Sequence, residues 1–181
     1  KITDTFRIDK TIPTIEYLLQ KKSIVIIMAH LGDDGTKTLR PIAEYLGSLV
    51  PVVFLETTDI AMIKYVVDNL EAPTVLMLEN IRRFVGEKEN NKKLANDLST
   101  LADMYVNDAF SVSHREHVSV VGVPKYLPSF VGLQMEKEIK ELSSVFSPKH
   151  PFLFILGGAK FETKLPLIKR FTNIADNIFI G

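Results

Sequence analysis

Short apolar runs alternate with longer segments of helical periodicity along the chain. Six predominantly apolar runs of four to seven residues predict strands, and they cover 23–29, 51–55, 74–78, 104–107, 152–156 and 177–180. The segments between them place apolar residues three to four positions apart, which predicts helices. These helices cover 11–21, 38–49, 60–70, 91–102, 136–146 and 163–174.

This alternation predicts the fold class. Strands that alternate with helices form right-handed βαβ units and a mostly parallel sheet. We therefore expect a three-layer α/β/α, Rossmann-like domain with a sheet of about six strands, formed by residues 1–181 as one domain. In such sheets ligands bind beyond the carboxyl ends of the strands, so functional residues are expected directly after the apolar runs.

The composition excludes several classes of protein. With 181 residues, 46% of them hydrophobic, and 22 basic against 22 acidic side chains, the chain is predicted to fold around its own core rather than to be disordered. The lack of cysteine excludes disulfides, thiolate zinc sites and a cysteine nucleophile. No apolar run reaches the roughly 20 residues of a membrane span, and residues 1–4 do not begin a signal peptide. We expect a cytoplasmic protein without a membrane or nucleic-acid partner, since nucleic-acid binding usually requires a basic excess.

Basic side chains follow four of the predicted strands. His30 follows the first, Arg82 and Arg83 the third, Arg115 the fourth and Lys160 the fifth. Arginine is suited to bidentate contact with phosphate or carboxylate and stays charged at neutral pH. Because the carboxyl ends of these strands meet at one edge of the sheet, the basic side chains that follow them predict an anion site there. In the alternative interpretation, each arginine pairs with a nearby acid such as Asp108 or Glu79, and His30 is a packed, hydrogen-bonded histidine.

A glycine pair separates the fifth run from the helix that follows it. Gly157 and Gly158 allow close approach of a ligand to the backbone, and Lys160 and Lys164 share a helix face. The pattern is neither the GxxxxGK[ST] phosphate loop nor GxGxxG. A tight turn with solvated lysines would have the same sequence. The lack of GxGxxG after an early strand argues against a dinucleotide-dependent oxidoreductase.

Seven segments occur in the order known from one enzyme family. They are 2–15, 30–32, 78–82, 106–115, 127–129, 135–138 and 155–160. On these segments the chain resembles phosphoglycerate kinase. The resemblance implies two similar-sized α/β domains, of which the amino-terminal one binds 3-phosphoglycerate in a basic patch and the carboxyl-terminal one binds the nucleotide. This chain resembles the amino-terminal, substrate-binding domain, and we expect both of its ends to be truncated.

The resemblance also implies an activity. It is glycolytic phosphoryl transfer between ATP or ADP and 3-phosphoglycerate or 1,3-bisphosphoglycerate, by a monomeric enzyme. The cofactor would be Mg²⁺ with ATP or ADP, bound mainly by the second domain, so no metal site is expected on this chain. The isolated chain is therefore expected to be inactive or nearly so.

Individual residues receive roles by their positions in the family's motifs. Arg7 matches an arginine that stabilises the transition state and contacts substrate. Lys160 matches the lysine that accompanies the migrating phosphoryl group, and Lys164 matches one that contacts nucleotide phosphates. The matching substrate-binding positions are Arg7, His30, Leu31, Gly32, Asp33, Arg82 and Arg115.

One motif departs from the family. Asp33 and Asp34 stand where the family usually has Arg-Pro. An aspartate there removes a phosphate partner and adds repulsion of about 1 kcal/mol, so a substrate-binding role for Asp33 is in conflict with its charge. Arg83 replaces a usual aromatic residue, and it either compensates for the lost arginine or is solvated. Asp33 also favours an alternative function, a non-catalytic anion-binding module derived from the kinase, whereas the six retained basic residues argue against that alternative.

Overall fold

The structure is a computed structural model that describes residues 2–158 and 164–181. The chain separates into two compact units, Lys1–Glu136 and Lys137–Gly181, and α-helical and β-strand segments occur in both. The assignment of residues 1–181 to one domain therefore stays a prediction. Within the described residues, no helix combines the length and the apolar character that crossing a membrane requires.

Residues 2–136 of the first unit contain five strands, five complete α-helices and the start of a sixth α-helix. Helix α1 (Phe6–Asp9) and strand β5 (Ser129–Val131) were not predicted from the sequence, whereas every other strand lies inside a predicted run. The helices are α1, α2 (Ile12–Gln20), α3 (Arg40–Gly47), α4 (Ile60–Asp68), α5 (Lys92–Ser99) and α6 (Leu133–Ser144), and the strands are β1 (Ile24–Ile27), β2 (Val52–Leu55), β3 (Thr74–Leu78), β4 (Tyr105–Asn107) and β5 (Ser129–Val131).

Strands β1, β2 and β3 form a parallel sheet with β3 in the centre. The strand order is β1-β3-β2, and the register pairs Ile24 with Thr74. Helices α3 and α4 lie in the two connections along the chain, as parallel neighbours require. The carboxyl ends of the three strands therefore lie along one edge, and His30 and Arg82 follow two of these ends.

The central strand is buried on both faces. Val75 and Met77 belong to a core with residues of α2 and α3, whereas Leu76 and Leu78 belong to a second core with residues of α4 and α5. All four side chains are at most 1% exposed. Since the side chains of a strand alternate between its faces, this pattern places helices on both sides of the sheet. The predicted three-layer α/β/α class is confirmed.

Local sequence signals fix where several helices begin. Asp59 and Asn91 accept backbone N–H groups at the starts of α4 and α5, as N-cap residues do. Pro13 and Pro41 occupy the first turns of α2 and α3, where a missing N–H costs no hydrogen bond.

The expected sheet of about six strands is wrong in its strand count. The seven strands of the described residues form three separate parallel sheets, of three, two and two strands. β4 is three residues long and pairs with β5, whose residues are all exposed. Such short strands offer few backbone partners, and Ser129–Val131 lacks the apolar run that would have predicted a strand. The expected parallel pairing is confirmed in all three sheets.

The second unit contains the remainder of α6, β6 (Leu153–Leu156), α7 (Leu165–Phe171) and β7 (Asn177–Ile180). Strands β6 and β7 pair in parallel. Phe171 is 3% exposed, and its ring centroid lies 4.2 Å from that of Phe154 and 5.7 Å from that of Phe146. These aromatic rings form the apolar centre of this unit.

Candidate anion site

The segment after β3 holds the loop that follows β1. Asn80 is fully buried, and its side-chain amide donates to the carbonyl oxygens of Leu31 at 2.9 Å and Lys37 at 2.8 Å. Its Oδ1 accepts the backbone N–H of Arg82 at 3.1 Å. One buried side chain therefore fixes both ends of the loop after His30 and the turn that carries Arg82.

Glu79 ties the far end of the same loop to the sheet. Its carboxylate accepts hydrogen bonds from Thr38 Oγ1 at 2.7 Å, Leu39 N at 2.8 Å and Asn80 N at 2.6 Å, and it pairs with Arg83 Nη1 at 2.9 Å. Burial alone would raise the pKa of Glu79. The hydrogen bonds and the Arg83 charge outweigh burial, so the pKa lies below its ordinary value.

We expect Glu79→Gln to remove part of the pH dependence of stability. Because the folded-state pKa is lowered, the ionised carboxylate contributes stability above the unfolded pKa of about 4.3, and this contribution is lost as pH falls through the folded pKa. At pH 7 the variant is expected to be about 1–3 kcal/mol less stable, because glutamine cannot accept all four donors. Urea unfolding at about pH 7 and about pH 3 measures the difference, with Glu89→Gln as an exposed control. An equal deficit at both pH values would contradict the assignment.

Arg83 is committed to the loop rather than to solvent. Its Nε donates to the carbonyl oxygen of Gly35 at 2.8 Å, and its Nη2 donates to that of Thr36 at 2.9 Å. Together with the Glu79 ion pair, these bonds engage all three guanidinium nitrogens. The interpretation of Arg83 as a solvated side chain is therefore wrong.

Gly35 brings the loop against the backbone of Arg82. Its φ is +74°, and a Cβ atom at this position would lie 2.7 Å from the Arg82 carbonyl oxygen. Only glycine combines this left-handed backbone with so close an approach. The loop therefore packs directly on the turn that positions the Arg82 guanidinium.

Arg82 is a buried cation without a carboxylate partner among the described ion pairs. The residue is 8% exposed, its Nη1 lies 3.4 Å from Nε2 of His117, and its Nε has no hydrogen-bond partner within the described part of the chain. Glu87 is also buried and feels the Arg82 charge, but burial is the larger effect and raises the Glu87 pKa. A desolvated guanidinium with an unused donor is costly for the fold. It is the arrangement expected of a group that binds an external anion.

The predicted alternative of carboxylate pairing applies to Arg83, which pairs with Glu79, and to Arg115, which lies 3.5 Å from Asp33. Asp108 has other partners: its carboxylate accepts from Thr14 Oγ1 at 2.6 Å and from the backbone N–H of Met135 at 2.8 Å. Asp108 therefore stabilises the packing of α2 against the start of α6 rather than neutralising an arginine.

His30 lies within the field of three arginines. Burial is the main cause that lowers its pKa, and the charges of Arg82, Arg115 and Arg7 lower it further, against an opposing effect of Asp33. Since the ordinary histidine pKa is about 6.5, the ring is mostly neutral at pH 7. The structure therefore brings the predicted basic residues of the first unit into one cluster, which we call the anion site: Arg7, His30, Arg82 and Arg115, together with His117.

Arg115 carries an internal counter-charge. Its Nη1 lies 3.5 Å from Oδ1 of Asp33, whose side chain is 79% exposed. Lys88 Nζ donates to the backbone carbonyl of Asp33 at 3.0 Å. Asp33 is therefore part of the site, but as an anion beside a cation. Leu31 and Gly32 are exposed on the same loop.

Comparison with known protein families gives a match that covers the whole chain. Residues 1–181 match phosphoglycerate kinase over their whole length. The chain belongs to the phosphoglycerate kinase family. It is 41% identical to the phosphoglycerate kinase of Pseudothermotoga lettingae, covering 100% of this chain and 48% of that protein, and 42% identical to that of Fervidobacterium nodosum, covering 99% and 47%. The chain thus spans about half the length of the curated relatives it matches.

Solved structures agree with the sequence comparison. The phosphoglycerate kinase of Pyrococcus horikoshii OT3 matches with a TM-score of 0.90 at 31% identity, covering 100% of this chain and 48% of that one. The phosphoglycerate kinase of Coxiella burnetii matches with a TM-score of 0.85 at 30% identity, covering 100% and 47%. The expected family resemblance is confirmed.

His117 in the anion site and Lys88 beside it were not predicted from the sequence. The pKa of His117 is lowered first by burial and then by Arg82, Arg115, His30 and Lys88, which places it inside the same cluster. Its position two residues after Arg115, on the same strand exit, was the available signal. Lys88 belongs to a dense polar run whose mixed charges are typical of a solvated loop.

The predicted phosphoryl-transfer lysine Lys160 lies outside the described residues. Lys164 lies immediately before α7, and its Nζ donates to the carbonyl oxygen of Gly157. The second unit therefore folds the lysine back onto the glycine pair that follows β6. Within the described residues, no group of three or more histidine, aspartate or glutamate side chains could hold a metal ion.

Proposed function

We propose that the enzyme to which this chain belongs transfers a phosphoryl group between ATP or ADP and 3-phosphoglycerate or 1,3-bisphosphoglycerate, as a glycolytic kinase of the cytoplasm. The first unit supplies the binding site for 3-phosphoglycerate. The observation that supports this role most directly is the buried Arg82, whose guanidinium has an unused donor and no carboxylate partner among residues 2–158 and 164–181. The enzyme acts as a monomer and needs neither a nucleic-acid nor a membrane partner.

The chemistry of the anion site suits a phosphorylated acid. Arg82 and Arg115 are fixed cations that can donate hydrogen bonds to two or more oxygens of a phosphate or carboxylate group. The pKa values of His30 and His117 are lowered, mainly by burial, which favours the neutral rings; a ring N–H can donate to the ligand, and an anion would favour protonation. The site therefore offers both charge and directional donors.

Arg7 is proposed to act in the transition state. In phosphoryl transfer the migrating group carries its charge on three equatorial oxygens, and catalysis depends mainly on positioning and electrostatic stabilisation. Arg7 is exposed on α1 and close enough to lower the pKa of His30. An exposed guanidinium at the margin of the anion site can reach a phosphoryl group that arrives from solvent.

The nucleotide is proposed to bind with Mg²⁺, mainly through residues outside this chain. Lys164 would contact nucleotide phosphates and Lys160 would accompany the phosphoryl group, as lysine suits a mobile anion. The roles assigned here to this chain involve only its own cations. When bound, the metal would neutralise phosphate charge.

A second candidate function is a non-catalytic anion-binding module derived from the kinase. Asp33 favours it, because a carboxylate beside Arg115 opposes a phosphorylated ligand. The two functions differ in one measurement: the full-length protein turns over ATP and 3-phosphoglycerate if it is a kinase and does not if it is a module.

Titration calorimetry with 3-phosphoglycerate tests the binding site on the 181-residue chain. We expect millimolar or tighter binding for the wild type and a loss of about 10-fold or more for Arg115→Ala, since a charged hydrogen bond contributes about 1.5–3 kcal/mol. Arg40→Ala removes the same charge from an exposed pair with Glu56 and is expected to bind like the wild type. Absence of heat at millimolar ligand, or equal binding by Arg115→Ala, would refute the proposed site.

A further inference from the structure

We propose that Asp33 is a built-in competitor for the substrate anion: its carboxylate occupies Arg115 until a ligand displaces it, and it thereby lowers the affinity of the anion site. This inference rests on the proposed function, since it concerns the ligand of the same site. It assigns to Asp33 a role opposite to that of a substrate-binding residue.

The contact between Asp33 and Arg115 is weak enough for a ligand to displace it. Asp33 Oδ1 lies 3.5 Å from Arg115 Nη1, which is long for a hydrogen bond, and the two side chains are 79% and 37% exposed. Exposed pairs of this kind are weak, because water screens both charges. A phosphate group, with more charge and more acceptor oxygens, can therefore replace the carboxylate on Arg115.

Asp33 acts on more than one residue of the site. Its charge opposes the lowering of the His30 pKa by burial and by the arginines. A carboxylate that raises the proton affinity of a site histidine also repels a phosphate bound there. Asp33 is therefore expected to weaken the binding of any anion in this cluster.

The loop holds Asp33 in place through its backbone. Arg83 donates to the carbonyl oxygens of Gly35 and Thr36, and Lys88 donates to that of Asp33 itself. Asn80 fixes the loop at the residues on either side of this stretch. Only the side chain of Asp33 is free to leave Arg115, so the carboxylate remains nearby after a ligand binds. Arg83 is therefore a positioning residue for this competitor.

The decisive variant is Asp33→Asn, which keeps the shape and removes the charge. Calorimetry on the 181-residue chain, with 3-phosphoglycerate and separately with inorganic phosphate, is expected to show a Kd about fivefold lower than in the wild type. The matched control is Asp34→Asn, because Asp34 carries the same charge one residue away but accepts its hydrogen bonds from Thr36, within its own turn. Its Kd is expected to stay within about twofold of the wild type, and the gain of Asp33→Asn is expected to shrink at about 1 M salt.

A double-variant comparison tests the positioning role of Arg83. In the Arg83→Met background the loop loses its hydrogen bonds at Gly35 and Thr36 and keeps those from Asn80 and Lys88, so Asp33 is held less firmly and Asp33→Asn is expected to change the Kd by less than about twofold. Thermal unfolding confirms that each variant is folded at the temperature of the titration. A full fivefold gain in the Arg83→Met background would overturn the positioning role.

The remaining outcomes separate this inference from the proposed function. If the wild type binds 3-phosphoglycerate but Asp33→Asn binds it no better than Asp34→Asn, the competitor role is overturned and the proposed function stands. If the wild type binds phosphate but not 3-phosphoglycerate, the proposed function fails. The Kd values of the variants for inorganic phosphate then test the competitor role of Asp33. Binding of neither ligand overturns both.

Discussion

We expect Arg7→Ala to lower kcat of the full-length protein by about 10³-fold, with a much smaller change in the KM for 3-phosphoglycerate. Fixed cations stabilise a metaphosphate-like transition state more than they stabilise the bound substrate, so the loss is concentrated in kcat. Arg7 suits this role because it is exposed at the margin of the anion site while Arg82 is enclosed within it. Steady-state kinetics in both directions of the reaction measures the effect.

Controls for Arg7 are available on the same helix. Lys10→Ala removes an equal charge from the C-cap position of α1, where its Nζ lies 5.1 Å from the centroid of the Phe6 ring. This variant is expected to keep kcat within about twofold, since it lies outside the anion site. Arg7→Lys is expected to recover part of the loss by restoring the charge without the planar fork. An increase in KM with unchanged kcat would show that Arg7 binds substrate without acting in the transition state.

Arg82→Met is expected to weaken 3-phosphoglycerate binding by about 10²–10³-fold while leaving the protein as stable as the wild type or more so. The loss of binding corresponds to two charged hydrogen bonds of about 1.5–3 kcal/mol each. The stability gain follows because methionine fills the volume of the aliphatic stem without burying an unsatisfied donor. Calorimetry gives the Kd, and urea unfolding gives the free energy of unfolding.

Arg83→Met provides a control, because its expected effect is a loss of stability. Arg83→Met removes three hydrogen bonds and leaves Glu79 buried without its cation, so it is expected to lower the free energy of unfolding by about 2–4 kcal/mol. Arg82→Met would thus lower binding without lowering stability, whereas substitution of the adjacent Arg83 would lower stability. If Arg82→Met destabilises the protein as much as Arg83→Met, Arg82 is a structural residue and not an anion-binding one.

The sequence predicts which residues lie close together in the site. The strand and helix patterns locate the elements, and the carboxyl ends of parallel strands share one edge of the sheet. Apolar runs locate β1 and β3, and parallel pairing brings their exits to one edge, so His30 and Arg82 had to lie near each other. No side-chain detail enters this argument. It depends only on where each strand ends.

The contacts within the site could not be predicted in the same way. Arg83 bonds to Gly35 and Arg115 pairs with Asp33, contacts that span 48 and 82 positions of the chain. Charge alone allowed Arg83 to be solvated or to pair with any acid, and the loop geometry decides among these partners. Neither composition nor periodicity specifies how a loop folds against a distant segment.

Strand β5 shows a different limit. Its residues are all exposed, so no pattern of buried and exposed positions marks it. The strand forms because its backbone pairs with that of β4, with Val106 opposite Phe130. Backbone pairing between short strands depends on tertiary position and leaves almost no trace in the choice of side chains.

The stretch from Val75 to Arg82 consists of eight consecutive buried residues, the longest such run in residues 2–158 and 164–181. Segments of this kind open to solvent only in the least frequent fluctuations of a protein. The guanidinium of Arg82 is therefore held in the position proposed for anion binding before any ligand arrives. An incoming anion meets a cation that has already lost its conformational freedom in folding, so little ordering entropy is left to oppose binding at this residue.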